Sequence, residues 1–132
     1  MNVTANFLTF WLAISILSCD KTSVNRETKT CLRARYVSEY CPSAKPLHLV
    51  EFMEPTEFAT KQQSQIPDSV HYMAAVLDLP ESVQKHDTIF YLKFHFDRKA
   101  EKKYSPKICQ SLFSIVKILV CEQVSKDPCA PL

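Results

Sequence analysis

Six cysteines (19, 31, 41, 109, 121 and 129) and four histidines (48, 71, 86 and 95) are the residues of this 132-residue chain best equipped for chemistry. Metal binding is the first possibility to weigh. Intervals of 9, 67, 11 and 7 residues separate the cysteines from Cys31 onward, with no C-x-x-C pair, so the zinc-finger frameworks are missing. Only His95 and Asp97, two apart on one face of a strand-like segment, have the spacing to share an ion, and an ordinary exposed strand face gives the same pattern. A Cys–His nucleophilic pair is formally available, but no G-x-S-x-G or H-E-x-x-H occurs. Glycine is absent, which excludes the phosphate cradles and dinucleotide loops that need close backbone approach. No catalytic residue, metal or cofactor is therefore expected.

The cysteines make better sense as disulfides. Residues 7 to 17, "FLTFWLAISIL", form an uncharged apolar run that is too short to span a bilayer and suits a secretory h-region. Residues 1–18 are assigned as a signal peptide, with cleavage after Ser18 or Cys19; the choice leaves six cysteines or five. Secretion into an oxidising compartment favours bridges over free thiols. No later run is long or apolar enough for a membrane anchor. Sixteen basic residues against fourteen acidic ones give a net charge of +2, too balanced to imply nucleic acid. The exception is "DRKAEKKYSPK", residues 97–107, expected as a solvated loop.

The elements that would position these residues follow from periodicity. Residues 19–46 read as a polar N-terminal extension that Cys31 and Cys41 could close on itself, with a helical turn over "LRARYVSEY". The stretch 47–65 is rich in helix formers, with Val50, Met53 and Phe58 as buried positions and Pro55 as a kink or a second start. Ile66-Pro67-Asp68 is a break. "SVHYMAAVLDL" leans to strand between Pro67 and Pro80. "TIFYLKFHF" alternates Phe90, Leu92, Phe94 and Phe96 against polar neighbours, the pattern of a half-buried antiparallel strand. "LFSIVKILV" alternates Leu112, Ser114, Val116, Ile118 and Val120 against Phe113, Ile115, Lys117 and Leu119, again a strand. With no glycine, turns fall to proline, Asn, Asp and Ser. The expected fold class is α+β, one helix packed on an antiparallel sheet, in a single domain over 47–132.

Residues 47–132, from the expected helix to the end and excluding the cysteine-bearing residues 20–46, resemble a known family. "EFATKQQSQIPDSVHYMAAVL", "SVQKHDTIFYLKFHFDRK" and the closing "CQSLFSIVKILVCEQVSKDPC" are similar, in order, to the helix end, first inhibitory loop and C-terminal hairpin of the type 2 cystatins, nearest their reproductive-tract branch (testatin and the cystatin-related epididymal spermatogenic protein). The resemblance implies a secreted relative of the cysteine protease inhibitors, one helix wrapped by a sheet, and a Cys109–Cys129 bridge. Cys31, Cys41 and Cys121 have no assigned partner; Cys121 is free to pair with Cys31 or Cys41. It also implies inhibitory-loop positions Ser82, Val83, Gln84 and Lys85, with a papain-like protease or another extracellular protein as partner. The departures matter as much. The N-terminal glycine, the Q-x-V-x-G glycine and the Pro-Trp turn have no counterparts, so weak or absent inhibition is expected. The rival expectations are a small secreted signalling or carrier protein, either a helical cytokine or a six-cysteine binding protein, and a degenerate chain with no stable fold.

Overall fold

The structure is a computed structural model that describes residues 30–64, 66, 68–109 and 115–129. The signal segment, Cys19 and positions 112–114 of the expected closing strand lie outside the described residues. Six strands run in the order β1 (Thr30–Glu39), β2 (Leu47–Phe52), β3 (Thr60–Gln63), β4 (Val70–Leu77), β5 (Ile89–His95) and β6 (Lys117–Ser125). One α-helix, α1 (Arg98–Tyr104), lies between β5 and β6. A 3-10 turn, Glu81–Val83, lies between β4 and β5. The α+β class holds, with a sheet and one helix.

Five strands close on themselves. Their neighbours run β2-β1-β5-β6-β4, and β2 pairs again with β4. All contacts are antiparallel except β4–β6, which runs parallel from Ala74↔Lys117 to Leu77↔Val120. β3 extends the same edge of β4, taking its residues 70–73 where β6 takes 74–77. A barrel of five strands is narrow enough for side chains alone to fill. Phe94 fills its centre, with ring centroids 5.4 Å from Phe52 and 5.5 Å from Phe58. Around them pack Tyr36, Val50, Val76, Phe90, Leu92 and Leu119.

A second apolar layer lies outside the barrel wall. Leu47 and Leu49 from β2, Met73, Ala75 and Leu77 from β4, and Val116 and Ile118 beside β6 are covered by Ala100 and Tyr104 of α1. β2, β4 and the start of β6 are thus buried on both faces, which explains the unbroken buried run "LHLV", His48 included, and the apolar run "YMAAVL". α1 forms because Asp97 caps it, its carboxylate accepting from the Lys99 and Ala100 amides at 2.8 and 3.3 Å. It stops at Ser105, before Pro106.

Several expectations are corrected here. The helix expected over 47–65 is β2, a turn and β3 instead; a strand buried on both faces shows no period-two signal to separate it from a helix. The helix is instead the segment expected as a solvated loop. The polar extension 19–46 contains β1, paired with β2 on one side and β5 on the other. In β1, Leu32, Ala34 and Tyr36 face inward and Val37 outward, and a register shift between Tyr36 and Ser38 brings Tyr40 to the outer layer as well. Phe96, expected in the core, is exposed. The strands at 70–77 and 89–95 appear as expected. Aspartates supply the left-handed turns that glycine would ordinarily take: Asp68, Asp78 and Asp87 have φ of 71°, 59° and 61°.

The disulfides also differ from expectation. Cys31 pairs with Cys129 and Cys41 with Cys109, in place of Cys109–Cys129 or a small Cys31–Cys41 loop. Cys121 is a free thiol. The cause is β1: once that strand is central, its two ends lie beside the ends of the last elements, not beside each other.

Candidate functional site

The four loop positions sit between β4 and β5, folded back on one end of the barrel. Val83 N–H donates to the Pro80 carbonyl at 3.2 Å and Gln84 N–H to Glu81 at 3.1 Å. The Gln84 side chain donates to the Leu79 carbonyl at 2.7 Å, pulling the turn inward. Val83 is buried and packs in the barrel core, while Ser82 and Lys85 face solvent. Beyond the turn, Asp87 N–H and Tyr36 N–H exchange bonds with the Tyr36 and Thr88 carbonyls at 3.1 and 2.9 Å. The loop is a plug for the barrel end. A protease wedge needs an apolar side chain held out toward its target; here that side chain closes the core.

His95 and Asp97 do not share an ion site. His95 Nδ1 pairs with Glu122 Oε1 across the strands at 3.0 Å, and Asp97 is occupied as the cap of α1. Among the described residues no group of three or more His, Cys, Asp or Glu side chains is arranged to hold a metal. The Cys121 thiol is pushed up to about 11, by burial first and then by Asp78 and Glu122, so it is no activated thiolate.

The structure does assemble one polar chain that the sequence did not announce. On the outer face of β1, β2 and β4, Glu51 accepts from Arg35 through one carboxylate oxygen and from His71 Nδ1 at 2.6 Å through the other. Burial pulls the Glu51 carboxyl up, but the His71 and Arg35 hydrogen bonds outweigh it and hold it below the ordinary range. An ionised carboxylate only accepts, so Nδ1 carries the proton, and in the neutral ring Nε2 accepts from Ser69 Oγ at 2.9 Å. The polarity is that of a Ser–His–carboxylate relay. Two features argue that the role is structural. Glu51 is shared with Arg35, which also reaches Asp87 at 3.4 Å, so it cross-links the three strands and the β5 approach. The Ser69 amide is taken by the Ile66 carbonyl at 3.3 Å and is not available to a developing oxyanion. The alternation Leu32-Arg33-Ala34-Arg35-Tyr36 marks a strand with Arg35 on its outer face, but only the pairing of β1, β2 and β4 brings Glu51 and His71 to it.

The remaining feature is a groove of about 560 Å³ beside α1. One wall is Pro42, Ser43 and Ala44; the other runs from Lys103 to Ile108. The Cys41–Cys109 bridge ties the walls at one end, and Ser43 Oγ donates to the Tyr104 carbonyl at 2.6 Å. The groove shares no residue with the Ser69–His71–Glu51 chain. No family model matches this chain, and searches of curated proteins and of solved structures likewise find no match.

Proposed function

We propose that this chain is a secreted, non-catalytic binding domain that does not block papain-like proteases. The reading rests chiefly on the burial of Val83. The one loop residue suited to a wedge is committed to the core, and the hydrogen bonds of Leu79, Pro80 and Glu81 hold it there. The resemblance to the cystatins supplies the inhibitor alternative, whose long helix over 47–65 has no counterpart in β2 and β3. Two disulfides of long sequence separation are compatible with an oxidising, extracellular setting. No helix among the described residues is long and apolar enough to cross a membrane.

Titration of the folded, oxidised protein against papain tests the reading directly. Full protease activity at equimolar and tenfold excess protein is the expected result. Stoichiometric inhibition, or inhibition lost in Ser82→Ala/Lys85→Ala, would restore the inhibitor assignment.

A further inference from the structure

We propose that the cationic face of α1 and the groove beside it bind a sulfated glycan. This rests on the extracellular reading above, whose protease titration is independent of it. Residues 97–107 hold five of the chain's sixteen basic residues and only two of its fourteen acidic ones. The segment is therefore net +3 and the rest of the chain net −1. Ala100 and Tyr104 fix which side of α1 faces the barrel. Arg98, Lys99, Lys102 and Lys103 are left exposed, and Lys107 continues the row past the helix. None of the ion pairs among the described residues involves any of the five.

For the helix itself the arrangement is mixed: Lys102 and Lys103 suit its last turn, but Arg98 and Lys99 stand in its first turn and the cations repel one another. Arg98 and Lys102, and Lys99 and Lys103, are like charges one turn apart, each such pair destabilising by roughly 0.2–0.5 kcal/mol. A helix selected only to cover the outer layer would do better with Glu at half of these positions. Lys103 Nζ lies over the Tyr104 ring, 5.2 Å from its centroid, and among the described residues no carboxylate neutralises any of the five; concentrated cations of this kind point to an anionic partner of high charge density.

The groove selects among anions. Lys103 and Lys107 stand on its second wall, and Pro42, Ala44 and Pro106 give it a shallow apolar lining suited to the C–H face of a sugar ring. It lacks what other polyanions or acidic peptides use. Among the described residues no aromatic ring lines it for base stacking, and none of those lining it belongs to a strand edge that could pair an extended peptide. The bridge and the Ser43–Tyr104 bond hold the walls before any ligand arrives, which lowers the ordering cost of binding.

The test compares two triple variants of equal charge by calorimetry with a heparin-derived octasaccharide near physiological ionic strength. Lys102→Ala/Lys103→Ala/Lys107→Ala should weaken binding on the order of tenfold to a hundredfold and flatten its salt dependence, as removing three contacting cations does for other polyanions. Lys61→Ala/Lys85→Ala/Lys126→Ala, which removes the same charge elsewhere, should leave affinity within about twofold. In the wild-type protein, where folding is not in question, bound octasaccharide should protect Lys103 and Lys107 from acetylation. Absence of binding, equal weakening in both variants, or no protection at these lysines overturns the proposal. So does equal affinity for desulfated octasaccharide, for polyglutamate, or for vesicles with anionic lipid.

Discussion

Removing the outer disulfide gives the sharpest check on the barrel. The Cys41–Cys109 bridge is nested inside Cys31–Cys129, with sequence separations of 68 and 98. In the chain-entropy model the inner bridge alone is worth about 4.4 kcal/mol. Once it is closed, the outer bridge constrains only the remainder of its loop, 98 less 68, or 30 residues, which corresponds to about 3.6 kcal/mol. Together they contribute about 8 kcal/mol, comparable to the whole net stability of a domain this size.

Cys31→Ser/Cys129→Ser should therefore lower the urea-unfolding free energy by about 3.6 kcal/mol and the Tm by roughly 15–30 °C, with the variant still folded at low temperature. Cys109→Ser/Cys129→Ser takes one half of each bridge, so it should lose both contributions and fail to fold. Under the alternative Cys109–Cys129 pairing the order reverses, because that double variant would then remove a single loop of 20 residues worth about 3.3 kcal/mol. A Cys109/Cys129 variant more stable than the Cys31/Cys129 variant would refute the nested arrangement, as would a loss below about 1 kcal/mol on opening the outer bridge.

Three further outcomes are expected. His48 is 6% exposed, and burial holds its imidazole below the ordinary value against a smaller upward pull from Glu39; the unfolded chain binds the extra proton, so stability should fall as pH drops below about 6.5, by up to about 1.4 kcal/mol per unit until the lower folded pKa is reached. His48→Gln should flatten urea midpoints across that window, and an unchanged slope would assign it to another group. Cys121, with its thiol pushed up to about 11 by burial, should resist iodoacetamide at pH 8 until urea is added, and rapid labelling of the native protein would contradict its packing against the barrel core. A fluorophosphonate probe should leave Ser69 unmodified; labelling that disappears in His71→Gln would show that the Ser69–His71–Glu51 chain is a working nucleophile after all.

How much of this was legible in the sequence depends on how many partners each segment has. β5 is covered on one face only, so Phe90, Leu92 and Phe94 alternate cleanly and the strand was readable. The absence of glycine left the turns to proline, Asn, Asp and Ser, and of these aspartate takes the positive-φ positions among the described residues. β2 is covered on both faces, inside by the barrel core and outside by α1, so its apolar positions lose the period that separates strand from helix. α1 carried its own marks, a cap at Asp97, an apolar pair at Ala100 and Tyr104, and a stop at Pro106, but two apolar residues make too weak a stripe to stand out. The polar chain was less accessible still. Arg35, Glu51 and His71 are 16 and 20 residues apart, and only the pairing of β1, β2 and β4 brings them together. Cysteine spacing cannot specify pairing when the bridged residues are 98 apart.

The two polar surfaces of the molecule are built on opposite rules, and that contrast assigns them different roles. On the open sheet face several charged or titratable side chains have complements: Arg35 with Glu51 and Asp87, His71 with Glu51, and His95 with Glu122. These pairs support the register of the barrel strands, because a one-residue shift would leave half-buried Glu51 without Arg35 and His71. On α1 the reverse holds. Its position is already fixed by Ala100, Tyr104 and the Cys41–Cys109 bridge, so its cations are not needed for register, and they lie where they repel one another. Charge that stabilises a fold comes in opposite-sign neighbours. Charge that accumulates with one sign, on an element already held by apolar contacts and a covalent bridge, is what the proposed glycan site on α1 would use.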